Sequence, residues 1–175
     1  QMDYLSFKDI YILNFYDNIS LTGRSIWVDW ERVRCEGALR DGLNIDGTDN
    51  ISQHRFNLCR FGNSARHGVY ADLDFAGLTA TSMAFDTCTF EQNEELGVRV
   101  TGDVGFSGWT FSTCYFEENA GSLAANSTAP RKAHVHVDSV YAMGLRFECC
   151  TFYGNTAPDV DVDWGIYVDT ATTVN

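Results

Sequence analysis

The chain has 175 residues, 45% of them hydrophobic, and carries 12 Lys+Arg against 24 Asp+Glu, a net charge of −12. That length suits one ordinary domain, and so acidic a surface repels nucleic acid phosphates, whose binding needs clustered Lys and Arg. No stretch is apolar for long enough to insert into a bilayer, and no signal-peptide pattern opens the chain.

Short alternating segments follow one another from the start. The first set is Leu5-x-Phe7, Ile10-x-Ile12 and Ile19-x-Leu21. The second is Val28-x-Trp30, Val33-x-Cys35 and Leu43-x-Ile45, and the third is His54-x-Phe56, Cys59-x-Phe61 and Val69-x-Ala71. Then come Met83-x-Phe85, Cys88-x-Phe90 and Val98-x-Val100, followed by Trp109-x-Phe111, Cys114-x-Phe116 and Val135-x-Val137. The last set reads Leu145-x-Phe147, Cys150-x-Phe152 and Val160-x-Val162. Alternation over three or four residues predicts strands with one side in and the other out, and no segment has a helical period.

The leading aromatics sit at 7, 30, 56, 85, 111 and 147, at intervals of 23, 26, 29, 26 and 36. A repeat of this period marks a solenoid. The two-residue gap between the first and second strands of each set is too tight for a paired hairpin, but it can bend the chain into another sheet. Three strands per turn, each stacked on its equivalent, predict an all-β parallel β-helix of about six coils, with like residues about 4.8 Å apart. Four Cys share one slot flanked by Phe, which reads as a column of small buried thiols, and reduced thiols suit folding in a cytoplasm. Gly42, Gly68 and Gly97 precede the third strand, where a positive φ is expected. Asn63, Asn93, Asn119 and Asn155 fall in one turn and read as a structural stack. The chain begins at Gln1 with the pattern running by Phe7, so it is expected to be one β-helix domain over 1–175 cut from a longer protein. The fifth coil needs 21 residues from its Cys to its third strand where the others need 9 or 10, which places an inserted loop at 121–132. Solenoids often put such loops on a binding face.

This pattern resembles the right-handed parallel β-helix of the pectate-lyase-like superfamily, and most of all the β-helix body of a bacteriophage tailspike. The resemblance covers Leu5 to Val162. It implies that the third strands form the sheet flanking a polysaccharide groove, that the protein is a homotrimer, and that it sits on a virion tail and acts at the host cell surface. A secreted monomeric polysaccharide lyase or glycoside hydrolase, and a non-enzymatic adhesin or structural β-helix, are the alternatives.

The outward side of the third strands is rich in polar chemistry. Ser20, Asn44, Tyr70, Arg99, His136 and Asp161 form one expected column, and Thr22, Asp46, Asp72, Thr101, Asp138 and Asp163 the next, while His134 and Asp159 stand where the other coils have Gly. Carboxylates for acid and base work, a ring for stacking and donors for hydroxyls make this a candidate sugar surface. Asp138, Asp161 and Asp163 are the candidate catalytic residues, since residues two apart on a strand lie about 6.7 Å apart and coil neighbours about 4.8 Å, near the separations glycosidases use. Asn44, Asp46, Tyr70, Asp72, Arg99, His134 and His136 are the candidate substrate contacts. No cofactor is expected outright, although Asp159, Asp161 and Asp163 beside Asp138 could hold Ca²⁺. By resemblance to calcium-dependent lyases Arg99 would then be the base, yet it lies two coils, about 9.6 Å, from Asp161. Asn44-Ile45-Asp46-Gly47 and His67-Gly68 match fragments of the polygalacturonase pattern. That family's adjacent Asp pair is missing, so its mechanism is not carried over.

Overall fold

The computed structural model describes residues 4–46, 50–73, 80–102, 106–119, 133–139, 142–154 and 164–169. Every strand pairing is parallel, and three sheets wrap one interior. The chain is therefore an all-β parallel β-helix. The second sheet stacks Tyr11–Leu13, Arg34–Glu36, Arg60–Gly62, Thr89–Glu91, Tyr115–Glu117 and Thr151–Tyr153. The third stacks Ile19–Leu21, Leu43–Ile45, His67–Asp72, Leu96–Gly102, Ala133–Ser139 and Trp164–Asp169. Each of these two sheets has six strands, so four coils have neighbours on both sides. The first sheet runs through Leu5–Lys8, Ser25–Glu31, Ile51–Asn57, Ala84–Asp86, Thr110–Ser112 and Arg146–Glu148, with the short strands Ala80–Thr81, Phe106–Ser107 and Ala142–Met143 stacked in turn from the start of Ile51–Asn57.

The repeated phrase is the interior. Phe56, Phe85, Phe111 and Phe147 pair in register, with ring centroids 4.8 Å apart at each step and planes within 7°. Phe61, Phe90, Phe116 and Phe152 form a second stack at 5.5, 4.7 and 4.7 Å, and the two stacks meet edge to face, as at Phe56–Phe61. Offset parallel and edge-on contacts are both favourable for aromatic rings. Cys59, Cys88, Cys114 and Cys150 stack beside them as free thiols, three buried and the last half-buried. Each donates to a carbonyl one coil back, those of Trp30, Phe56, Phe85 and Phe111, at 3.3–3.4 Å.

The bends are built by left-handed backbone. Between the first and second sheets Asp9, Arg32, Leu58, Thr87, Thr113 and Cys149 all have φ between 52° and 56°. After the second sheet Asn14, Gly37, Asn63, Gln92 and Glu118 repeat this at 49–62°. Left-handed geometry turns the chain while each amide still reaches the next coil: Leu58 N–H donates to Asp86 O and Thr87 N–H to Ser112 O, at 3.0 and 2.8 Å.

The expected asparagine stack is present at Asn93 and Asn119, one position on from the bend, and the glycine expectation is corrected. Asn63 is left-handed, but Asn93 and Asn119 lie one position further on and are buried; Asn155 lies outside the described residues. Asn93 Nδ2 donates to Phe61 O and to Asn119 Oδ1, and Asn119 Nδ2 to Phe90 O, so these side chains cap coil carbonyls that a bend leaves open. Gly42, Gly68 and Gly97 do not have positive φ. They are glycine because coils touch there: a Cβ on Gly42 would lie 2.6 Å from Gly68 O, and one on Gly68 2.6 Å from Gly97 O.

Candidate functional site

The outer face of the third sheet is set by register. Asn44 pairs with Tyr70, Tyr70 with Arg99, Arg99 with His136 and His136 with Tyr167. Two residues on, Asp72 pairs with Thr101, Thr101 with Asp138 and Asp138 with Asp169. Asp46 follows Ile45, which pairs with Ala71, so it heads the same column. The result is a line Asp46–Asp72–Thr101–Asp138–Asp169 along the helix axis, with the two end residues exposed and the middle three half-buried.

This register corrects the sixth coil. Val160 and Val162 were expected beneath Val135 and Val137; Ile166 and Val168 take those places. Asp138 therefore neighbours Asp169, not Asp163. Asp159, Asp161 and Asp163 lie outside the described residues, and with them the expected carboxylate pair and calcium ligands. Among the described residues no three His, Cys, Asp or Glu side chains are grouped so as to hold a metal. The correct strand had a signal in the sequence. Trp164-Gly165-Ile166-Tyr167-Val168-Asp169 shares Gly, Tyr and Asp, with aliphatic residues between, with His67-Gly68-Val69-Tyr70-Ala71-Asp72. A Cβ at 165 would sit in ordinary contact with the Phe152 ring, 3.4 Å away.

His134 is also corrected: it points inward. It is 1% exposed, lies near the rings of Phe116 and Phe152, and its Nδ1 is 3.1 Å from Asn119 Nδ2. With the amide donating, Nδ1 is an acceptor and the imidazole is neutral. Burial pushes its pKa down to about 4, partly opposed by a hydrogen bond to the backbone of Tyr153. His134 completes the asparagine ladder and does not face a ligand. Asn44 and His136, at 2% and 0% exposure, are likewise shut off from bulk solvent.

Tyr70 is the centre of the half-buried part of this face. Arg66 Cζ lies 4.3 Å from its ring centroid and Arg99 Cζ 6.0 Å, while the His67 ring stacks on it at 5.4 Å. Its hydroxyl donates to Asp72 Oδ2 at 3.3 Å, and burial raises its pKa. Arg66 is held in turn by a two-point contact to the buried Asp41, which also meets Arg40, itself on Asp17. The sequence reading met His67 only as a pattern fragment and missed this Asp17–Arg40–Asp41–Arg66 chain, because Asp41 and His67 sit before the strands' alternating part. His67 is fully buried, with Nε2 3.3 Å from Glu95 Oε2. Burial, then the charges of Arg66, Arg99 and His136, hold its pKa well below the usual imidazole value, so it is neutral.

The three outer faces differ in how they treat charge. On the first sheet Lys8 meets Glu31, Arg55 meets Asp86 and Arg146 meets Glu148. On the second, Arg60 bridges Glu36 and Glu91, and Arg34 also meets Glu36. In the third-sheet column, Asp46, Asp138 and Asp169 form no ion pair with a described residue. No known protein family, curated protein or solved structure matches this chain.

Proposed function

We propose that this chain is the β-helical body of a host-recognition appendage of the bacteriophage tailspike kind, and that it binds a cell-surface polysaccharide along the third sheet. The observation that carries this reading is the Asp46–Asp72–Thr101–Asp138–Asp169 column. It is an axial row of acceptors in which Asp46, Asp138 and Asp169 form no ion pair with a described residue, beside the Tyr70 and Tyr167 rings. A glycan laid along the axis meets one such group per coil, about every 4.8 Å, and ionised carboxylates are strong acceptors for sugar hydroxyls. Nearby carboxylates also favour neutral or amino-bearing sugars over uronates.

Depolymerisation belongs to the same proposal. Asp138 and Asp169 stand on neighbouring coils, about 4.8 Å apart at Cα, close to the carboxyl separation of retaining glycosidases, about 5–5.5 Å. In that role one carboxyl attacks the anomeric carbon while the other protonates the leaving oxygen and then activates water. A homotrimer on a virion tail is the assembly this reading expects; light scattering distinguishes it from a secreted monomer. The deciding experiment incubates the protein with a panel of capsule and O-antigen polysaccharides and measures binding by calorimetry and new reducing ends by chemical assay. Asp138→Asn is expected to weaken binding about tenfold, the loss of one charge-assisted hydrogen bond of about 1.4 kcal/mol, and to abolish any reducing-end release. Equal binding by the parent and the Asp72→Asn/Asp138→Asn double variant would refute the site. Binding without chain cleavage would reduce the proposal to an adhesin.

A further inference from the structure

A cavity of about 210 Å³ opens on a different face, over the outer side of the first sheet at the N-terminal coils. Its floor is two rows of residues in register, Ser6–Asp29–Arg55 and Glu31–Asn57. Tyr4 forms a wall, and its hydroxyl donates to Asp29 Oδ2. That bond fixes the ring in advance, so a ligand packing on it does not bear the cost of ordering a loose side chain. The volume is below the usual range for drug-sized pockets, about 300–1,000 Å³, and suits one ring rather than an enclosed chain.

The lining offers both donors and acceptors for sugar hydroxyls. Ser6, Asn57 and Arg55 supply donors, Asp29 and Glu31 supply acceptors, and the Tyr4 ring supplies an apolar surface for axial C–H groups. We propose that this cavity is a second saccharide site, for one uncharged pyranose unit, separate from the acidic column of the third sheet. A uronate entering it would face two carboxylates, while Arg55 is shared with Asp86 at 3.8 Å.

The site binds without cleaving. Asp29 and Glu31 stand two apart on one strand, about 6.7 Å at Cα, which is within reach of an inverting pair, about 6.5–9.5 Å between carboxyls. Such a pair needs one protonated member. Lys8 at 3.0 Å, together with Arg32, holds the Glu31 carboxyl below the usual carboxylate range, and the Asp29 oxygen is occupied as the acceptor of the Tyr4 hydroxyl. Glu31 is therefore not set to protonate a glycosidic oxygen, and the Asp29 oxygen is already engaged.

The test is a ¹H–¹⁵N NMR titration with glucose, galactose, mannose and N-acetylglucosamine, and with glucuronate and galacturonate as controls. At least one neutral sugar is expected to give saturable shifts confined to the amides of residues 4–6, 29–31 and 55–57, with the uronates at least tenfold weaker. Tyr4→Ala and Asn57→Ala should each weaken binding at least fivefold; Tyr4 is 60% exposed, so its removal leaves the core intact. Asp138→Asn should leave these shifts unchanged, so failure of the third-sheet reading and failure of this one are separable. No shift at these amides with any neutral sugar overturns the proposal, as does a shift that survives both lining variants or uronate binding as tight as that of the neutral sugars.

Discussion

The buried imidazole of His134 ties the stability of the coil to pH. Its pKa lies near 4 in the folded chain against about 6.5 in an unfolded one. The unfolded state therefore binds the proton first as pH falls. The contribution of His134 is complete above about pH 6.5 and is lost as pH drops toward 4. At about 1.4 kcal/mol per pH unit the loss sums to about 3 kcal/mol. The side chain is 1% exposed, so solvent screening takes little from that figure. Protonation would also set a ring N–H against the Asn119 amide that now donates to it. His54 and His67 are shifted in the same direction by burial, so the parent protein softens steeply in acid. Urea unfolding at several pH values between 7.5 and 4 should show His134→Gln, whose side chain cannot titrate, losing about 3 kcal/mol less than the parent over that range. Parallel pH profiles for the two would refute the reasoning, because they would mean that His134 titrates alike folded and unfolded.

The contact between coils makes Gly68→Ala costly. Its methyl would lie 2.6 Å from Gly97 O and 2.9 Å from Asn93 Nδ2, so a loss of about 2–3 kcal/mol is expected, read as a lower urea midpoint; an unchanged midpoint would show that the coils can spread there. Thr113 is an exposed β-branched residue at φ 55°, a conformation costing about 1–2 kcal/mol for most L-residues and less for Asn. Thr113→Asn should raise stability by about 1 kcal/mol in the same assay, and a drop would mean that the Thr side chain has a role the turn geometry does not reveal.

Much of the site was legible, and its failures have physical causes. Alternation names the residues of a strand's two sides but carries no register, because a slip of two or six residues leaves the same side facing in. Asp159-Val160-Asp161-Val162-Asp163 alternates as well as Trp164–Asp169 does, and what tells them apart is the Gly, Tyr and Asp that the latter shares with His67–Asp72. His134 was assigned outward because Val135 faces inward and strands alternate. In the structure both face the interior, His134 against Phe116 and Val135 within the main core. The imidazole reaches Asn119, which a period-2 reading does not anticipate.

The amino-acid sequence alone determined the solenoid, its three-sheet repeat and the aromatic and thiol columns. A slot filled by Phe at 56, 85, 111 and 147 is solvable only by stacking coil on coil. Tertiary structure alone decided which polar groups share a face. Arg99 is brought to Tyr70, and Asp138 is set beside Asp169, by coil pairing between residues 29 and 31 apart in the chain. Those contacts depend on how closely neighbouring coils approach, a distance between backbones that the order of side chains does not record.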